Sequence, residues 1–343
     1  FLPGTPPSLT QQPQGKLAGT GQSVTFSAAA EGSSPLSYRW KKDDHDLLGA
    51  NSPTLTLNNL TRGNSGTYTV VVSNPAGIAT SLPAVLTVRD TVPGALNTGV
   101  DDAGAALPDG TADSHYRLIV NPDSASADAL VQDSTVFPIV TGPWLANTAR
   151  SKWIGPRLET SAAAGGNYMY RLAFDLTGFD PATVAIAGDW TCDNGGLEIF
   201  LNGQPTGHSH DGNFGVLRTF SIDSGFAVGL NTLDFQVNNT SAGYTGLRVA
   251  NLLPLGDLLP AGTAPFIVQQ PADVTGTVTE TVGFRVRANG SAPVSYQWYY
   301  GPDPIPGETG PTLSFLIEFP DQAGEYSVRI NNAFGEAISV PAV

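Results

Sequence analysis

The residues of this chain able to do chemistry are few and scattered. His208-Ser209-His210-Asp211 sets two imidazoles and a carboxylate in one short stretch, and a His-x-His pair can hold a transition metal from one strand edge. No third strong ligand lies nearby in sequence, so the plainer expectation is a solvated polar turn after Asn202-Gly203. Asp101, Asp102, Asp109 and Asp113 form an acidic, Gly-containing stretch that offers oxygens for a structural Ca²⁺. Its spacing is not that of a twelve-residue calcium loop, and the metal expectation rests on Asp101, Asp102 and Asp113. Sugar binding needs aromatic rings for pyranose faces, with polar neighbours to fix the hydroxyls. Tyr116, Trp144, Trp153, Trp190 and Tyr244 qualify by type. Trp153, within Ser151-Lys152-Trp153-Ile154-Gly155-Pro156, and Trp190, after the apolar alternation of Val184, Ile186 and Gly188, read as core, leaving Trp144, Tyr244 and Tyr116 as the carbohydrate candidates. Glu159 and Glu198 are the only glutamates of the central stretch, and nothing in the sequence places them across a cleft. There is no Gly-x-Ser-x-Gly elbow and no Gly-rich phosphate loop, and the chain has four His. No catalytic residue is assigned and no enzyme activity or cofactor is expected.

Composition sets the frame that must position these groups. The 343 residues carry 16 Lys+Arg against 30 Asp+Glu, a net charge of −14. Such a charge repels nucleic acid and anionic lipid, because phosphate binding depends on Lys and Arg displacing counterions. No apolar run approaches the roughly 20 residues of a membrane helix. With 39 Gly and 27 Pro among short period-2 apolar runs, the chain reads as all-β. The one thiol, Cys192, has no internal partner for a disulfide. The chain begins at Phe1 without a basic-then-apolar leader, which suggests a processed product or a piece of something longer.

An internal repeat organises the rest. Shifted by 258 positions, the two ends superpose without a gap from Gly4 onward. Gln11-Gln12-Pro13 falls on Gln269-Gln270-Pro271, Ser37-Tyr38-Arg39-Trp40 on Ser295-Tyr296-Gln297-Trp298, and Gly66-Thr67-Tyr68 on Gly324-Glu325-Tyr326. Between the copies lies an unrelated stretch bounded by Pro/Gly punctuation near Asp90-Thr91-Val92-Pro93-Gly94 and Leu259-Pro260-Ala261-Gly262. Three domains follow: 1–90, 91–260 and 261–343. In the central one, strands are expected at Tyr116 to Val120, Tyr168 to Asp175, Val184 to Asp189, Leu197 to Leu201, Val216 to Ile222, Thr232 to Val237 and Gly246 to Val249.

Each copy, with Trp40 or Trp298 and a tyrosine-corner string ending in Tyr68 or Tyr326, resembles the immunoglobulin-like fold of the intermediate set. These four residues are the expected core pins. Where that family places its disulfide, this chain has Ala28 and Val70, and Val286 and Val328, so apolar packing must replace a bond worth about 2 to 4 kcal/mol. Cysteine-less copies of this kind are similar to those of bacterial secreted proteins. The central string Asp193-Asn194…Leu201-Asn202-Gly203…Leu230-Asn231-Thr232-Leu233-Asp234-Phe235 resembles the galactose-binding-like jelly rolls of bacterial surface proteins. That resemblance implies a carbohydrate-binding ancestry and the structural Ca²⁺ such modules often carry.

The second copy stops about three residues short of the last strand of the first, Val343 matching Val85 before Leu86-Thr87-Val88. Two explanations stand: excision from a longer array of alternating modules, or a groove filled by strand addition from a neighbouring subunit in a head-to-tail filament. The expected architecture is thus three β-sandwiches in tandem: immunoglobulin-like, jelly roll, immunoglobulin-like. The expected role is that of a non-enzymatic extracellular or cell-surface protein, a subunit or segment of a bacterial fibre, matrix or adhesin. Its partners are copies of itself or adjacent modules, with a glycan as a further candidate, and neither nucleic acid nor membrane insertion. The alternative is the carbohydrate-binding, targeting portion of a larger secreted polysaccharide hydrolase.

Overall fold

A computed structural model describes residues 4–159 and 161–343, and among them there is no α-helix. The all-β expectation holds. The chain divides into two compact units, one through Thr91 and one comprising Val92–Val343.

The first unit is a sandwich whose alternation dictates its core. Strand Gly66–Asn74 turns Tyr68, Val70 and Val72 inward. It pairs antiparallel with Ser37–Lys42, whose inward residue is Trp40. The facing pair Val24–Ser27 and Thr54–Leu57 contributes Phe26, stacked on Tyr68 at 5.0 Å. Trp40 is fully buried, and its indole N–H donates to the Ser52 carbonyl at 2.9 Å. The Tyr68 hydroxyl donates to the Asn64 carbonyl at 2.8 Å, closing the tyrosine corner. Ala28 and Val70 are buried where a disulfide would otherwise lie. Strand Ala84–Thr91 closes the sandwich by running parallel to Lys16–Gly19.

The second copy repeats these contacts inside the second unit. Trp298 is fully buried and donates to the Gly310 carbonyl at 3.0 Å, Tyr326 donates to the Gln322 carbonyl at 2.7 Å, and Phe284 stacks on Tyr326 at 4.8 Å. Val286 and Val328 are buried like their counterparts.

The central sandwich is antiparallel throughout. Its strands run in the spatial order Gly195–Leu201, Leu230–Asn239, Gly166–Asp175, Ala112–Val120, Asp128–Val131, Ile154–Gly155, Gly246–Leu258, Phe179–Asp193 and Arg218–Ile222. The seven expected strands are present, most of them longer than read. Asp128–Val131 and Ile154–Gly155 were not expected, because runs of four and two residues are too short to display alternation. The interior is aromatic, with Tyr116, Tyr168, Tyr170, Trp190 and Phe235 essentially inaccessible. Tyr168 makes its own corner, its hydroxyl donating to the Ala164 carbonyl at 2.7 Å.

Within this unit the central sandwich and the second copy are joined by a built junction. Asn289, 1% exposed, accepts from the Gly178 amide at 2.8 Å and donates to the Phe179 carbonyl at 2.9 Å. The Leu259 amide donates to the Gly178 carbonyl at 2.8 Å, and Asn332 holds the connector through the Thr263 and Ser291 carbonyls. Gly178 has φ +89°, which favours glycine, and a side chain there would point at Ala292. At the position of Asn289 the first copy has an exposed Glu31.

Candidate functional site

The aromatic candidates separate by burial. Tyr116 lies inside the main core, fully buried, its hydroxyl donating to the Leu96 carbonyl at 2.9 Å. Trp144 is 4% exposed, packs on Trp153 with ring centroids 4.1 Å apart, and donates its indole N–H to Asp193 at 2.8 Å. Neither ring can offer a face to a sugar. Glycine and proline around Trp144 suggested an exposed loop, but the chain folds back and buries the ring as a small satellite core of Ile139, Trp144 and Trp153.

Tyr244 is different. It packs on that satellite core from outside and meets Phe137 edge-on at 5.2 Å and 69°. The two rings line a pocket of about 270 Å³ together with Gln132, Asp133, Glu159 and Ser161. Gln132 is 2% exposed; its amide N–H donates to the Thr245 carbonyl at 2.9 Å, while its Oε1 has no hydrogen-bond partner. Phe137, 46% exposed, was not singled out from the sequence, although the hydrophobic Val136-Phe137-Pro138-Ile139-Val140 run marks a turn too apolar to be a plain solvated loop. An apolar ring wall beside a carboxylate and a hydroxyl suits a small polyhydroxylated ligand.

The acidic stretch is engaged with a cation of the protein's own. His115 lies between two carboxylates, its Nε2 2.8 Å from Asp102 and its Nδ1 3.4 Å from the buried Asp113. Asp113, assisted by Asp102 and opposed by burial, raises the imidazole pKa to about 9, so at neutral pH the ring is an imidazolium. Asp113 also accepts from the Gly99 and His115 amides, at 2.6 and 2.9 Å. Asp101 accepts from the Ala103 and Ala105 amides, and Asp109 from Lys152 and Ser134. The carboxylates expected to form an ion cage, Asp101, Asp102 and Asp113, thus face backbone amides and the His115 imidazole. Among the described residues no group of three or more His, Cys, Asp or Glu is arranged to hold a metal ion.

His208 and His210 are likewise committed to backbone. His210 accepts from the Gly212 amide at Nδ1, so its Nε2–H donates to the Val216 carbonyl at 3.1 Å and the ring is neutral; burial pushes its pKa down. His208 Nε2 bonds the Ser221 carbonyl at 3.0 Å, and Asp211 pairs with Arg218. Glu198 accepts from the Thr206, Gly207 and His208 amides and fixes that turn. Glu159 is the glutamate that faces a pocket. Cys192 is fully buried, and burial raises its thiol pKa, so it is no ready nucleophile.

The fold therefore defines a chain of β-sandwiches, two of them copies of one immunoglobulin-like design. Residues 6–74 match the family model for the immunoglobulin domain. Among solved structures, the I-band fragment I67-I69 from titin is 16% identical over 98% of this chain and 97% of its own, with a TM-score of 0.26. Titin domain M7 is 21% identical over 25% of this chain and 96% of its own, with a TM-score of 0.24. The twitchin kinase region from C. elegans is 30% identical over 24% of this chain and 16% of its own, with a TM-score of 0.23.

Proposed function

We propose that this chain is a non-enzymatic extracellular structural or adhesive protein, a subunit or segment of a bacterial surface fibre or matrix. The observation that carries the reading is the Asn289 junction. Two separate cores are linked by buried hydrogen bonds in place of a free linker, and this suits a module that must transmit position or force. The immunoglobulin-type packing of the first copy is consistent with such a role, as is the low charged fraction of 13%. Electron microscopy of the concentrated protein without added sugar tests it. Ordered polymers or stiff rods of constant length support the reading, whereas globular particles of variable outline, or polysaccharide turnover by this chain alone, would sink it.

The Tyr244 pocket favours a second reading, in which the central sandwich is a galactose-binding-like module that binds a glycan, either as an adhesin or to deliver a larger secreted hydrolase. On a glycan array, saturable binding that Tyr244→Ala abolishes supports this reading. Binding that survives that change, or none at all, removes it.

A further inference from the structure

We infer that the Tyr244 pocket of the central sandwich selects its ligand by positive charge, and that this ligand is a sugar unit carrying a free ammonium group. The inference rests on the glycan reading of the pocket and deepens it, since that reading leaves the class of sugar open.

The walls of the pocket are tied to one another by the protein itself. The Asp133 amide donates to the Leu158 carbonyl at 3.1 Å, Ala163 and Gly243 exchange backbone hydrogen bonds at 3.1 and 2.9 Å, and Gln132 donates to the Thr245 carbonyl at 2.9 Å. These bonds hold separate loops together and bring the Asp133 and Glu159 carboxylates to the same cavity of about 270 Å³ as the Phe137 and Tyr244 rings. A site assembled in this way binds without first having to order its loops.

Its charge is one-sided. Among the described residues that line the cavity, two are carboxylates and none is Lys, Arg or His. The bases close by in sequence are engaged elsewhere: Lys152 with Asp109 at 2.8 Å, and Arg157 with Asp123 through both Nε and Nη2. Asp133 Oδ1 accepts from the Thr135 amide and hydroxyl, at 2.8 and 2.6 Å. Other carboxylates of this sandwich are matched by donors of the protein's own, Asp113 and Asp102 by His115, Asp211 by Arg218 and Glu198 by three amides. Asp133 and Glu159 have no cation among the described residues, and they share their cavity with two aromatic rings.

Three effects then act in one direction. Carboxylates sharing a cavity repel, and a cation beside them relieves that repulsion. The negative faces of aromatic rings attract a cation as well. A cleft lined by one sign of charge concentrates ions of the other sign, and the net charge of −14 adds to the field. A sugar acid is opposed by all three effects, and a neutral sugar gains from none of them. The apolar ring surface and the Ser161 and Tyr244 hydroxyls supply what a pyranose needs besides, a face to stack on and partners for its hydroxyls.

The test is isothermal titration calorimetry on the full chain at about pH 6.5, where the amine of an amino sugar carries its proton. The probe is the β-1,4-linked disaccharide of glucosamine. Its N-acetylated counterpart supplies the sugar without the charge, and ethylammonium chloride the charge without the sugar. We expect the glucosamine disaccharide to saturate one site per chain and to bind more than about tenfold tighter than either control. In Glu159→Gln, an isosteric change at an exposed position, that preference should fall to about threefold or less with the unfolding midpoint unchanged, and added salt should shrink it likewise. Equal binding of the two disaccharides, or a preference for the N-acetylated one, overturns the inference and leaves the glycan reading standing. A preference that survives both Glu159→Gln and Asp133→Asn also overturns it, because the selecting charge then lies elsewhere. Ethylammonium binding as tightly as the disaccharide overturns it too, since the sugar would contribute nothing. If none of the three binds, the inference falls, and the glycan array decides the broader reading by itself.

Discussion

The junction at Asn289 yields the sharpest test of how this protein is built. Replacing Asn289 by Ala removes three hydrogen bonds at once: those from the Gly178 amide at 2.8 Å, to the Phe179 carbonyl at 2.9 Å, and from the Gly290 amide at 3.0 Å. A buried polar group left without a partner costs about 1 to 3 kcal/mol. Water can reach part of a domain junction once a side chain is cut back, so the lower end applies to each orphaned group. The expected loss in coupling between the two sandwiches is about 2 to 4 kcal/mol. The assay is amide hydrogen exchange on the full chain, read at Gly178, with the urea midpoint alongside. Protection at Gly178 should fall about thirtyfold or more, since 1.4 kcal/mol is a factor of ten. Glu31→Ala, at the same place in the first copy, should leave stability within about 0.5 kcal/mol, because Glu31 is exposed. Unchanged protection at Gly178 in Asn289→Ala would refute the reasoning, as it would mean the two sandwiches are not held by this side chain.

The remaining predictions concern the central sandwich and the tyrosine corners. Trp144→Ala should destabilise the domain by about 3 to 5 kcal/mol in thermal unfolding, because the ring is buried against Trp153. Asp193, 4% exposed, has its pKa pushed up to about 6 by burial, with Trp144 and Asn194 pulling the other way. The folded state then binds its proton more tightly than the unfolded chain does, so stability from this group is present below about pH 4 and is lost as pH rises to about 6. Asp193→Asn should flatten that part of the urea stability profile. His115, with its pKa near 9, contributes stability that is complete below about pH 6.5 and is lost as pH rises towards 9; an NMR titration of its Cε1 proton should show no midpoint below 8. Tyr68→Phe and Tyr326→Phe should each cost about 1 kcal/mol in chemical denaturation, through the lost bonds to Asn64 and Gln322.

Much of this fold could be read from the sequence because its signals are local. A strand that buries one face must alternate, so Tyr68, Val70 and Val72 announce both the strand and its inward side. The repeat told the same story twice, since Trp40 and Trp298 lie in like surroundings and their indoles reach carbonyls twelve residues on. The all-β class and the core pins follow from pattern along the chain.

What the sequence could not decide was which loop residues meet. Trp144 and Tyr244, a hundred positions apart, have similar neighbours, yet one is buried and bonded to Asp193 while the other lines a pocket with Phe137 and Glu159. His115 and Asp102 become partners because a turn returns the chain, and that pairing commits the acidic stretch to an imidazolium. Asn289 looks like any strand-end polar residue until the turn at Gly178 is laid against it. Burial and pairing of side chains on different loops depend on distances that only the closed sandwich sets. Periodicity therefore determined the elements of this protein, and tertiary packing alone determined its junction and its pocket.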